Sequence, residues 1–114
     1  MNDNLLILTN IKKTILRLEK FLENYSRNEK ILKENIQKEM YELLKDGYMA
    51  NSFKDNERIT YQKNMLVHIK MIDFYLYTSH SKKQISNKQY TTTSKYLLDI
   101  FILIQGWIKS EKGK

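Results

Sequence analysis

Residues 85–108 read ISNKQYTTTSKYLLDIFILIQGWI, and this stretch decides the fold. Ser86 and Gln89 stand at the spacing of a capping box, in which a hydroxyl accepts the backbone N–H three residues on and the amide side chain reaches back. Ile85 and Tyr90 occupy the two positions of a hydrophobic staple. Leu97, Phe101, Ile104 and Ile108 then recur at intervals of 4, 3 and 4, the repeat of one helix face. A strand would alternate apolar and polar residues. The sequence here instead starts a helix sharply and runs it for more than 20 residues.

Working outward, three further segments carry the same period. Ile7, Ile11, Ile15, Leu18, Leu22 and Tyr25 form one face, with Lys13, Arg17, Lys20 and Glu23 opposite. Leu32, Ile36, Met40, Leu43 and Gly47 form a second, with Ser26 and Glu29 spaced for a capping box before it. Gly47 inside this face points to close packing or to fraying, since a mid-helix glycine costs about 1 kcal/mol against alanine. After the turn-forming run Asn51 to Asn56, a third face holds Ile59, Gln62, Leu66, Ile69, Ile72 and Leu76. It ends in the polar loop Ser79 to Lys83. Helices are expected near 5–25, 29–50, 55–79 and 87–110. Four long helices joined by short loops predict an all-α fold, an antiparallel up-down four-helix bundle that forms one domain over residues 1–114.

Composition agrees. The 114 residues include no cysteine, no proline and three glycines, which excludes a disulfide scaffold and disfavours a many-turned β chain. The hydrophobic fraction of 41% is too high for a disordered chain. Met1-Asn2-Asp3-Asn4 lacks the basic start of a secretory signal, and the apolar run Leu97 to Ile108 falls short of the roughly 20 residues of a membrane span. A cytoplasmic protein with no membrane partner is expected.

The charge is uneven. Residues 1–57 carry ten basic and ten acidic side chains, whereas residues 58–114 carry ten basic and three acidic, so the whole formal net charge of +7 lies in the second half. One reading is a solubilising surface. The sharper one is a polyanion-binding face, because lysines with few acids nearby attract phosphates and release counterions. Its candidates are Arg58, Lys63, Lys70, Lys82, Lys83, Lys88 and Lys95, with Tyr75, Tyr77, Tyr90 and Tyr96 among them as rings that could stack bases or simply sit at bundle edges.

The last helix is apolar over roughly 260° of its wheel at 100° per residue, far more than the stripe of a little over 100° that a bundle requires. Leu97, Phe101, Ile104 and Ile108 fill one core. Ile100, Leu103 and Trp107 form a second stripe, expected at an oligomer interface. The alternative is a helix central to its own small bundle.

Catalytic and metal constellations are absent from the sequence. His68 and His80 lack the carboxylate spacing of a zinc-binding helix, and Ser79-His80-Ser81 is a polar loop. Asp46, Asp73 and Asp99 read as surface partners of lysines, and the five methionines as core filler. No cofactor is expected.

Ile85-Ser86-Asn87-Lys88-Gln89-Tyr90, then Leu98-Asp99-Ile100 and Gly106-Trp107-Ile108-Lys109-Ser110, with Ala50, Arg58 and Leu66 upstream, resemble the accessory variability determinant family of diversity-generating retroelements. The likeness covers about residues 28–110. The wider group of four-helix-bundle proteins includes those encoded in intervening sequences of ribosomal RNA genes. The resemblance implies a basic, barrel-like homopentamer without a catalytic centre. It implies binding to the element's reverse transcriptase, and through positive charge to nucleic acid, the template RNA or its DNA copy, during error-prone copying of a template. One departure is the use of seventeen lysines against three arginines, where family members are commonly arginine-rich. Lysine meets phosphate as a point charge rather than a fork. The alternative is a self-assembling helical bundle of the intervening-sequence type, with charge serving solubility alone.

Overall fold

A computed structural model describes residues 4–114, with side chains from Leu6 onward. Met1 to Asp3, read above for a leader pattern, lie outside the described residues. Four helices run Asn4–Leu22 (α1), Lys30–Ser52 (α2), Asp55–Ser81 (α3) and Asn87–Lys112 (α4), with a short 3-10 turn over Arg27–Glu29 before α2. No strand occurs among the described residues, and no helix there is long and apolar enough to cross a membrane. Each helix packs on its sequence neighbours, and α1 closes on α4. The product is a four-helix bundle of 47 × 22 × 21 Å. The α2–α3 pair is the most extensively packed and the α1–α4 seam the least.

The expected core is largely in place. Ile11, Leu18, Ile36, Met40, Ile72, Leu76, Leu97 and Ile104 are buried, drawn from all four helices at the predicted period. Each such side chain stabilises the fold by about 1.5–3 kcal/mol through removal of apolar surface from water. On α3 the buried row is Gln62, Met65, Ile69, Ile72, Leu76 and Ser79, so Met65 takes a core place and Leu66 lies at its edge. Gly47 marks close packing rather than fraying. A Cβ there would stand 2.8 Å from Leu8 Cδ2 and 3.3 Å from Met65 Cε, because α1 and α3 both press on α2 at this point.

The two capping signals part ways. Ser86 and Gln89 form the full reciprocal box at the start of α4. Ser26 and Glu29 do not. The Ser26 amide and hydroxyl both donate to Gln84 Oε1, at 2.8 and 3.0 Å, and Glu29 takes the Lys82 ammonium at 2.7 Å. The α3–α4 loop has captured both residues that would have capped α2, which therefore begins through the 3-10 turn. That loop is itself fixed. Lys83 has φ 61°, Gln84 N–H donates to Ser79 C=O and Lys83 N–H to His80 C=O, the Schellman ending of a helix. α1 stops at Leu22, three residues before the predicted end. There the amides of Asn24 and Tyr25 turn back onto Phe21 and Leu22.

Gln62 is a polar residue inside this core. It is fully buried, and neither Nε2 nor Oε1 has a hydrogen-bond partner. Unpaired buried amide groups cost about 1–3 kcal/mol. Gln62→Met keeps the length and removes both polar atoms, so it should raise the unfolding free energy by about 1–3 kcal/mol, read as a higher urea midpoint with an unchanged slope. A lowered midpoint would show that the amide is satisfied in solution.

Candidate nucleic-acid interface

The seven predicted basic residues do not gather into one patch. Arg58 and Lys82 belong to opposite ends of α3, about 36 Å apart at 1.5 Å per residue. Lys63, Lys70, Lys83, Lys88 and Lys95 are exposed, and none pairs with a carboxylate among the described residues. Lys70 lies 5.8 Å from the centroid of the Phe101 ring and lines the α3–α4 groove. Lys88 lines the α1–α4 groove instead. Lys82 is exposed, but its charge is met by Glu29.

Arg58 is not a surface cation, which corrects the sequence reading. Its side chain is 11% exposed and paired within the bundle. Nε donates to Ala50 C=O at 2.8 Å, Nη1 donates to Glu111 Oε2 at 2.9 Å, and the guanidinium stands 5.6 Å from the Trp107 ring centroid. Glu111 Oε1 accepts the Asp55 amide at 2.9 Å. One buried cluster thus ties the end of α2, the start of α3 and the end of α4. Glu111 was not singled out from sequence. Its signal was position, an acid near the C-terminal end of a helix, where the macrodipole opposes it and a cation is needed.

The apolar surplus of α4 is also redistributed. Ile100 and Trp107, expected at an oligomer interface, are 1% and 9% exposed inside the bundle's own core, and Leu103 is half-buried beside it. α4 packs against both α1 and α3, so its core arc is wider than a single stripe and absorbs these residues. On α4 and its neighbour α3 the apolar side chains left outside include Leu98 and Ile102, 55% and 54% exposed, and Val67 and Phe74, 58% and 57% exposed.

The acids differ likewise. Asp46 is buried, and its Oδ2 lies 2.8 Å from His68 Nε2, while Glu39 Oε2 lies 2.6 Å from Nδ1. This α2–α3 tie was missed because its members are 22 and 29 residues apart in sequence. The carboxylates meet opposite ring nitrogens, so the three groups do not converge on one point, and no metal-holding group of three or more occurs among the described residues. Asp73 accepts from Ser94 at 2.7 Å, and Asp99 alone of the three is exposed. Ser79-His80-Ser81, read from sequence as a polar loop, is the last turn of α3, where Ser79 is buried and His80 stacks on Tyr90 with centroids 5.3 Å apart.

Comparison with family models, with curated proteins and with solved structures finds no match.

Glu111 supplies a pH test of the buried cluster. The Asp55 amide, together with Lys114 and Arg58, holds its carboxyl from the ordinary 4.5 down to about 2, against the opposing effect of burial. A carboxyl whose folded value is depressed stabilises fully above its unfolded value and loses that contribution as pH falls towards the folded one. Its contribution is therefore complete at neutral pH and declines between about 4.5 and about 2. Urea titrations across this range should show a shallower acid loss for Glu111→Gln than for the parent. Parallel curves would contradict the assignment.

Proposed function

We propose that this chain is a non-enzymatic accessory protein that binds nucleic acid through exposed, unpaired lysines and acts as an assembly of identical subunits. The observation that carries this reading is the charge of residues 58–114. Five of the seven candidate cations remain exposed and free of carboxylates, so their field is available to a polyanion. In the setting that the family resemblance implies, the partner protein is a reverse transcriptase and the polyanion is its template RNA and DNA copy. The protein then serves as a basic scaffold that holds the nucleic acid near the polymerase.

Self-association is the second element, and it rests on Val67, Phe74, Leu98 and Ile102. These exposed apolar side chains on two adjacent helices offer a surface for contact. Here the proposed occupant is a second copy of the chain, five in all if the resemblance extends to assembly. A self-assembling bundle with no nucleic-acid role shares this feature, so the RNA measurement separates the two readings.

Binding of labelled RNA should be largely independent of sequence and should weaken steeply as salt rises, because each phosphate contact releases counterions. No binding at low salt, or affinity unaltered by salt, would overturn the nucleic-acid reading and leave the assembly protein. Light scattering of the parent at micromolar concentration should give a mass above the monomer's 13.8 kDa. Leu98→Glu with Ile102→Glu should yield a smaller species. A monomeric parent would end the assembly reading.

A further inference from the structure

The seam between α1 and α4 is the least packed in the bundle, and two cavities open along it that share Lys13 and Arg17. The first, about 490 Å³, is lined by Asn10, Lys13, Thr14, Arg17, Tyr96, Asp99 and Ile100, a size within the usual range of ligand sites. The second continues towards the start of α4 and adds Lys20, Phe21 and Lys88. Together they place four cations around one groove, with Asp99 the single acid in the lining.

Arg17 sits at the join. Its guanidinium lies 5.1 Å from the Tyr96 ring centroid and 5.4 Å from that of Phe21, so two aromatic faces hold the plane in position. Its Nε is buried without a hydrogen-bond partner. Arg58, by contrast, spends its donors on Ala50 and Glu111. No ion pair or hydrogen bond engages Arg17 among the described residues. A positioned guanidinium with open donors is built for a planar or tetrahedral oxyanion, which it grips through two parallel N–H bonds. Lys13, Lys20 and Lys88 supply the surrounding charge.

We infer that the α1–α4 groove centred on Arg17 is a phosphate-binding site, and that its occupant is a backbone phosphate of single-stranded nucleic acid. Tyr96 favours this occupant over an acidic peptide. Tyr96 is 43% exposed at the rim of the groove, where a base next to the bound phosphate would stack on the ring face away from Arg17. Three of the four cations belong to α1, in the half of the chain with no net charge. The inference rests on the nucleic-acid reading above but moves its centre away from the α3–α4 loop.

The test uses fluorescence anisotropy of a labelled oligouridylate at fixed low salt, with nuclear magnetic resonance shifts of the backbone amides on addition of inorganic phosphate. Arg17→Gln and, separately, the exposed pair Lys13→Glu with Lys20→Glu should each weaken oligouridylate binding about tenfold or more. Arg17→Lys, which keeps the charge and loses the fork, should fall between Arg17→Gln and the parent. Lys45→Gln, an exposed lysine on α2, should leave binding within about twofold. Circular dichroism checks that each variant folds, and the double lysine variant carries the test if Arg17 is needed for folding. Inorganic phosphate should shift amides of residues 13–21 and 88–96 in the parent. If the parent binds the oligonucleotide and all groove variants bind equally well, the site is wrong and the nucleic-acid reading survives. If the parent ignores the oligonucleotide but phosphate shifts these amides, the phosphate site stands and the polymer is wrong. Neither response would overturn both. Equal affinity for polyglutamate would replace the phosphate with an acidic peptide.

Discussion

A buried arginine–glutamate pair closes one end of this bundle, and three of the four helices meet on it. Arg58 reaches back to the last turns of α2 through Ala50, lies over Trp107 and pairs with Glu111 near the end of α4. Glu111 in turn satisfies the amide of Asp55, which opens α3 with φ 56°. Two residues, Phe53 and Lys54, separate α2 from α3. So abrupt a reversal leaves helix-end donors and acceptors exposed to burial, and they need partners. Breaking a buried pair by removing one member costs more than the pair contributes, because the other charge is left alone. The cluster therefore acts as a constraint on register between α2, α3 and α4.

This cluster changes what the family resemblance carries. Ala50, Arg58 and Trp107 are among the residues on which that resemblance rests, and the fold sets both Ala50 and Trp107 against Arg58. Their chemistry here is to hold the bundle end together. They speak for architecture, and the proposed nucleic-acid role stands on other residues, the exposed lysines and the α1–α4 groove.

The opposite end is held by a different device. Gln84 and Lys82, in the α3–α4 loop, engage Ser26 and Glu29 in the α1–α2 connection. With both ends tied and α2–α3 further joined by Glu39, His68 and Asp46, the α1–α4 seam is where the bundle stays open. Its α1 edge is mostly polar, with Asn10, Lys13, Thr14, Arg17 and Lys20 beside Leu16 and Phe21, and polar side chains do not zip onto α4 as leucines would. The loosest packing thus coincides with a groove lined by Lys13, Arg17, Lys20 and Lys88, which is the physical basis for placing a ligand there.

The sequence by itself determined four helices, their approximate limits, the capping box at Ser86 and most of the core, because period and capping are local properties of a chain. It also determined that the excess charge is positive. Only the tertiary structure decided which cations are free. Arg58 looked like a surface charge, and Glu111, 53 residues away, removed it from solvent. Ile100 and Trp107 looked surplus to one core stripe, until a helix flanked by two neighbours buried a wider arc. Ser26 and Glu29 matched a capping pattern, but long-range partners took both. Arg17 read as one more charge on the polar face of α1 until α4 brought Tyr96 beside it. In each case the deciding partner lies far away in sequence, and burial and pairing across that distance are settled by packing.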